Sequence, residues 1–304
     1  MNAIKVSDIS KSYTEGKTTV SALQNISFDV KKGELFGIIG PDGAGKTSLF
    51  RILTTLLLAD EGKAEVDGFD VVNDFKEIRK RAGYMPGRFS LYQDLTVAEN
   101  LEFFASIFNT TIEENYNLIK DIYIQIEPFK DRRAGKLSGG MKQKLALCCA
   151  LIHKPSVLFL DEPTTGVDAV SRKEFWDMLK DLKKENITIL VSTPYMDEAS
   201  LCDRVALIQE GKILSVNIPA NIIKEFGRKL LAVRSDKMHS LLGELKQING
   251  VEDAYPFGEF HHVVISKRKE KSVEEQIITL NSPGIEVHET KPNIEDCFMA
   301  LMKD

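Results

Sequence analysis

The sequence predicts an α/β protein with a mostly parallel sheet, followed by a small α+β unit. Three observations carry this. Short, continuously apolar runs alternate with segments of helical periodicity, the pattern of strands buried on both faces. A glycine-rich stretch lies between one such strand and the helix after it. After Pro219 the texture changes to shorter strands in a different order. Length agrees, since 304 residues suit about two average domains and can bury a sizeable core without staples.

Residues 4–9 and 23–30 read as strands, the second with inward Leu23, Ile26 and Phe28. Gly33 breaks the run, and residues 35–39 form a strand of the buried kind. A helix is expected over about 46–57, a strand over 64–69 and a short helix over 75–81. Residues 97–126 read as helical, with Leu101, Phe104, Ala105 and Phe108 on one face. Residues 141–153 form a further helix, on which Leu145, Cys148, Cys149 and Ile152 are core positions and His153 is structural. Two buried strands, 157–160 and 187–192, flank a helix over about 169–184. In the tail, strands are expected at 229–234, 251–256, 260–266 and 284–288, and helices at 237–247, 272–280 and 294–302. The order β-α-β-β-α-β-α suits a ferredoxin-like unit. The domain boundary is therefore set at 1–220 and 221–304.

Charge narrows the function classes. Net charge is −5, from 40 basic and 45 acidic residues, and 12 of the basic and 14 of the acidic ones follow residue 220. Neither part is a basic domain, which argues against a nucleic-acid partner. The cluster Lys267, Arg268 and Lys269 reads as solvated loop charge. Cys148, Cys149, Cys202 and Cys297 form no CxxC pair and have no histidine at a zinc spacing, so reduced thiols are expected. The longest apolar run, 145–152, falls far short of the roughly 20 residues that span a bilayer. Residues 1–10 lack the apolar core and small-residue cleavage site of a signal peptide, so a cytosolic protein is expected.

Gly40, Pro41, Asp42, Gly43, Ala44, Gly45, Lys46 and Thr47 match the phosphate-binding P-loop, in the strand-loop-helix setting that its mechanism needs. Glycines let backbone N–H groups wrap phosphates, and the helix N-terminus adds a favourable partial charge. Lys46 is placed to neutralise the β- and γ-phosphates, and the Thr47 hydroxyl to ligate Mg²⁺. Residues 157–162 form an apolar strand ending in two acids. Asp161 at its end can hold Mg²⁺ through water, and Glu162 can polarise a water for attack on the γ-phosphate. Ser138, Gly139 and Gly140 open the next helix upstream and form a second phosphate cradle. A second cradle without its own lysine makes sense if it closes on a nucleotide held by another copy or a partner.

In this combination the sequence resembles the ATP-binding subunits of ABC transporters, over about residues 3–220. The resemblance implies an ABC-type ATPase core with a helical subdomain at about 88–140, binding ATP and Mg²⁺. It puts Tyr13 against adenine, extends the nucleotide-binding set to Ser48, and makes Asp168 part of the loop that communicates between two sites. Two subunits, as homodimer or heterodimer, would sandwich two ATPs, each between one P-loop and the opposite Ser138-Gly139-Gly140. A transmembrane permease is the implied partner, with the chain peripheral on the cytoplasmic face of the cell membrane. The tail segment Pro292-Asn293-Ile294-Glu295-Asp296-Cys297-Phe298 is similar to the closing motif of daunorubicin-resistance-type, multidrug-export ATPases.

Two positions depart from that family. Its glutamine after Tyr84-Met85-Pro86 is Gly87 here, and its histidine after Val191-Ser192-Thr193 is Pro194. Neither glycine nor proline brings a side-chain donor or acceptor. Arg88 and Gln93 are nearby polar residues and read as surface. The leading expectation is an ATPase that drives a membrane exporter. The alternatives are a mainly ATP-binding regulatory partner of a second, complete ABC ATPase, and a soluble ABC ATPase of repair or translation. The last usually has a coiled-coil insertion, zinc fingers or tandem units, and the sequence shows none.

Overall fold

In a computed structural model, the described residues are 1–88, 90–266, 270–280 and 282–303, without the side chains of Glu270 and Lys271. The basic cluster at 267–269 lies outside them. The chain forms two compact units, Met1–Pro219 and Ala220–Asp304.

The first unit opens with a long hairpin, β1 (Asn2–Glu15) and β2 (Thr18–Lys31), followed by the buried strand β3 (Leu35–Ile39). Next come α1 (Lys46–Leu53), β4 (Glu61–Val66), β5 (Phe69–Asp70), α2 (Phe75–Arg81) and β6 (Ala82–Met85). The helical part holds α3 (Val97–Ile107), α4 (Ile112–Tyr123) and α5 (Gly139–Leu151). The chain then returns through β7 (Val157–Asp161), α6 (Ala169–Lys184), β8 (Thr188–Thr193), β9 (Arg204–Gln209) and β10 (Lys212–Asn217). Two sheets result, in orders β2-β1-β4-β5 and β10-β9-β3-β8-β7-β6. In the second sheet only β10 runs antiparallel to its neighbour. All residues of β3, β7 and β8 are buried, which explains their unbroken apolar character. The core between the sheets takes Phe50 and Phe159, packed edge to face with centroids 6.2 Å apart.

Several boundaries differ from the expected ones, each for a local reason. The helix expected to reach residue 57 stops at Leu53, because the Thr54 hydroxyl donates to the Phe50 carbonyl and Thr55 takes φ +64°. The helical stretch expected over 97–126 is two helices. Asn109 takes φ +55°, and Thr111 starts α4 with a reciprocal capping box to Glu114. Side-chain capping there overrides an apolar periodicity that runs straight through. The hairpin strands are longer than their apolar stretches, since exposed Ser12↔Ser21 and Thr14↔Thr19 pairs continue the ladder without burying anything. His153 follows the end of α5 rather than lying on it. β6, β9 and β10 are additional to the sequence reading.

The second unit begins in α7 (Pro219–Glu225), which spans the boundary. It continues through β11 (Lys229–Arg234), α8 (Met238–Gln247), β12 (Val251–Phe257), β13 (Phe260–Ile265), α9 (Glu270–Ile278), β14 (Glu286–Thr290) and α10 (Ile294–Leu301). Its sheet runs β12-β13-β11-β14, all antiparallel, the order of a ferredoxin-like split β-α-β. Leu231, Val233, Ala254, Val263 and Ile265 share one face with Leu241, Leu245, Val273 and Ile277 of α8 and α9. On the alternate face, Tyr255 and His262 reach Asp296 of α10. Among the described residues no helix is long and apolar enough to cross a membrane.

Asp296 is fully buried and carries three tasks. It accepts from the Tyr255 hydroxyl at 2.8 Å and from His262 Nδ1 at 2.6 Å, and it closes the α10 capping box at Asn293 N, 2.8 Å. Burial, reinforced by Asp296, pushes the Tyr255 hydroxyl far above its usual range and keeps it a donor. Asp296→Ala strands two buried donors and a helix cap, and should cost about 3 kcal/mol. Hydrogen exchange of the full-length variant should show faster exchange confined to α10 and β12–β13.

Candidate nucleotide-binding site

Parallel strands release their following loops at one edge of the sheet. From that edge leave the glycine-rich loop after β3, the 86–88 turn after β6, Glu162 after β7 and Pro194 after β8. Glycine is required at two positions of the first loop. A Cβ on Gly40 would lie 2.1 Å from the Ile208 carbonyl oxygen. At Gly45, which takes φ +102° as the N-cap of α1, a Cβ would lie 2.3 Å from the Ala22 carbonyl oxygen. Gly45 has no side chain to cap α1, and the first turn carries no acidic residue, so the helix N-terminus keeps its affinity for an anion. Pro41, Asp42, Gly43 and Ala44 complete the loop between them.

Lys46 is the first residue of α1 and is buried. Its ammonium donates to the carbonyls of Gly40 at 2.8 Å and Pro41 at 2.9 Å, and meets Glu162 Oε1 at 3.0 Å. The lysine thus arches over its own loop, and its third contact is the acid expected to handle water. Asp161 is 1% exposed. Burial holds its carboxyl above the usual range, opposed by hydrogen bonds from Ser192 and Thr47. The Ser192 hydroxyl donates to Asp161 Oδ1 at 2.7 Å, and its oxygen accepts from Glu162 N–H at 3.0 Å. Thr47 and Asp161 therefore stand side by side, a pair of hard oxygen donors. No cluster of three or more metal-binding side chains occurs among the described residues. Two hard oxygens at the loop would fit a magnesium that completes its shell with phosphate and water.

Tyr13 lies near the end of β1, 41% exposed, and shares a hydrogen bond between its hydroxyl and Ser48 Oγ at 3.0 Å. Its ring is thus fixed to α1 at the side of the loop. Among the described residues no hydrogen bond or ion pair links Ser138, Gly139 or Gly140 to residues 40–48. Ser138 caps α5 by accepting from Met141 N–H at 3.3 Å. A Cβ on Gly140 would lie 2.7 Å from Ser171 Oγ, so this turn packs against the start of α6. There Asp168 accepts from the N–H groups of Val170 and Ser171, which hold its carboxyl below the usual range. Asp168 is an N-cap as well as a loop residue.

Gly87 faces the two acids at the end of β7. A Cβ on Gly87 would lie 3.0 Å from the Asp161 carbonyl oxygen and 3.8 Å from Glu162 Cβ. Pro194 enters a turn pinned by Glu198, a buried acid absent from the sequence reading. Glu198 accepts from Thr193 Oγ1 at 2.5 Å and Thr164 Oγ1 at 3.0 Å, with Arg172 Nε at 3.5 Å. Next to Asp197, which is the more exposed of the two, it has no distinguishing signal in the sequence. Arg88 and Gln93 are exposed. His153 stacks on Phe108 at 3.7 Å and bonds the Ala82 carbonyl, and burial pushes its imidazole down to about 4. It is neutral and structural.

A glycine-rich loop at a helix N-terminus, a buried lysine and a hard-oxygen pair at one sheet edge define a P-loop nucleotide-binding protein. Comparison narrows the class. Residues 23–165 match the family model of the ABC transporter. YbhF of Escherichia coli K12, a probable multidrug ABC transporter ATP-binding protein, is 38% identical over 92% of this chain and 49% of its own length. NatA of Bacillus subtilis, an ABC transporter ATP-binding protein, is 37% identical over 69% of this chain and 87% of its own. The Nod factor export ATP-binding protein I of Rhizobium etli is 33% identical over 99% and 93%. Among solved structures, the dimeric post-hydrolysis ATP-binding cassette MJ0796, bound to ADP and Pi, superposes with a TM-score of 0.64 at 25% identity, over 71% of this chain and 98% of its own. The chain belongs to the ABC transporter ATP-binding family, and its first unit is an ABC-type ATPase domain. It spans about half the length of YbhF.

Phosphate and the Glu162 carboxylate compete for one ammonium. Glu162→Gln should therefore bind ADP roughly fivefold more tightly, since a pair of this exposure is worth about 1 kcal/mol. Titration calorimetry with ADP reads this without any contribution from hydrolysis. Equal affinity would mean that the carboxylate does not contend for Lys46.

Proposed function

We propose that the chain is the ATP-binding and ATP-hydrolysing subunit of an ABC exporter. The observation that carries this is the convergence of Lys46, Thr47, Asp161 and Glu162 on one carboxyl edge beside a capless helix N-terminus. In this reading the loop amides and Lys46 bind the β- and γ-phosphates, and Tyr13, steadied by Ser48, stacks on adenine. Bound Mg²⁺ would neutralise phosphate charge and fix the oxygens in line, held by Thr47 directly and by Asp161 through water. Glu162 then turns from Lys46 to a water and takes its proton as the water attacks the γ-phosphorus. The bond from that phosphorus to the β–γ bridging oxygen breaks, and ADP leaves with the electron pair. Export is supported by the likeness to the Nod factor export protein, and transport by the likeness to the multidrug transporter protein YbhF. Lys46→Ala should lower MgATP affinity at least tenfold, because a charge-assisted contact is worth roughly 1.5–3 kcal/mol. Unchanged affinity by calorimetry would overturn the site.

The partners follow from what one copy lacks. Ser138, Gly139 and Gly140 have no nucleotide site of their own within reach, which suits a second ATPase subunit whose P-loop they close on, with Asp168 at the junction. A transmembrane permease subunit completes the machine and holds the chain on the cytoplasmic face of the membrane. All phosphate-handling residues lie before Pro194, so residues 221–304 form an accessory domain outside the chemistry.

A second reading rests on Gly87 and Pro194. The family's glutamine and histidine act mainly in the transition state, where a lost contact costs about 2.7–4 kcal/mol. Nucleotide binding does not need them. The site on this chain's P-loop is then slow, and a complete partner ATPase supplies the fast site, closed by this chain's Ser138-Gly139-Gly140. The double variant Gly87→Gln, Pro194→His should raise turnover of the purified homodimer roughly a hundredfold. Fast turnover in the unmodified homodimer, with no gain in the variant, would reject this reading.

A further inference from the structure

We propose that Ser192 is a positioning residue for the phosphate chemistry, setting the Asp161 carboxylate and the Glu162 backbone with a single hydroxyl. The inference rests on the nucleotide reading above. Ser192 is wholly buried, in a strand whose six residues are all buried, between β3 and β7. Its register partner across β7 is Asp161 itself. A serine that only filled this place would gain nothing over alanine, since a buried hydroxyl costs free energy unless it is bonded. Here the whole hydroxyl is committed to the site. Glu162 N–H points at Oγ from 3.0 Å, which forces the oxygen to accept there. The single hydroxyl proton is thereby left for Asp161 Oδ1, at 2.7 Å.

The two bonds do different things. The bond to Asp161 fixes one carboxylate oxygen against rotation, so the other keeps its orientation toward the Thr47 side. The bond from Glu162 supports a backbone at φ +51°, a left-handed conformation that a glutamate adopts at a cost. Glu162 N–H is shared with the Ser192 carbonyl at 3.1 Å, so this residue contributes two acceptors to one amide. Removing the hydroxyl leaves that second acceptor in place. The backbone turn should therefore survive in Ser192→Ala, while the carboxylate loses its fixed orientation. Sequence reading gave Ser192 no role, because a serine at the end of an apolar strand has no pattern of its own.

The test uses full-length Ser192→Ala and Ser192→Thr, each checked for a wild-type circular-dichroism spectrum. Three quantities are read: ADP affinity without divalent metal, Mn²⁺ affinity of the ADP complex by electron paramagnetic resonance, and steady-state ATP turnover. In Ser192→Ala, metal-free ADP affinity should stay within about twofold. Mn²⁺ affinity should fall about tenfold, and kcat at least tenfold with KM little changed, the scale of one hydrogen bond to a charged group. Ser192→Thr keeps the hydroxyl and should restore both. Wild-type Mn²⁺ affinity and kcat in Ser192→Ala would overturn the assignment. So would a metal-free ADP affinity that falls in parallel, since that marks general collapse of the site. If the unmodified chain binds no ADP at all, the nucleotide reading fails first, and that result is distinct from either.

Discussion

Five strands of the large sheet share one direction, and a parallel strand can leave such a sheet only at its carboxyl edge. Everything chemical in this chain follows from that constraint. The loop after β3, the acids at the end of β7, the turn after β8 and the turn after β6 are far apart in the chain, from Gly40 to Pro194, yet share one rim. Complete burial of β3, β7 and β8 makes the rim rigid. Side chains placed there inherit a fixed geometry without needing loops that hold themselves. The same constraint explains why Gly87 and Pro194, far apart in the chain, follow strands that end at the same rim.

Where chemistry and fold coincide, the sequence was readable. The P-loop needs glycines, a lysine and a hydroxyl at fixed spacing, and each is visible as a residue type. The buried strands were visible because burial on both faces leaves an unbroken apolar run. Capping was harder to see. The break between α3 and α4 depends on Thr111 and Glu114 answering each other, against a periodicity that favours one long helix. The polar tips of β1 and β2 carry no apolar alternation, and only backbone pairing extends them. The middle four residues of β9 are buried like β3, but the strand follows a short 3-10 segment and lacked a chemical landmark.

The site residues divide in the same way. Lys46, Thr47, Asp161 and Glu162 announce themselves because charge at the end of an apolar strand is unusual. Ser192 and Glu198 do not, because their importance lies in what they bond across the sheet edge. Glu198 ties Thr193 to Thr164, and so ties the segment after β8 to the one after β7. A sequence contains the residue types of such a network but not its edges. Asp168 was singled out only through a family resemblance, while its work as an N-cap required coordinates.

Glu162 stands between Asp161 and Pro163 with φ +51°. A glutamate pays roughly 1–2 kcal/mol for that conformation, and a residue before proline is normally driven to extended backbone instead. Glycine or asparagine would sit there more comfortably. A search for heat-resistant variants, blind to turnover, therefore has a gradient leading away from glutamate at this position. If Glu162 handles the water, selection for heat resistance and selection for turnover pull on this residue in opposite directions.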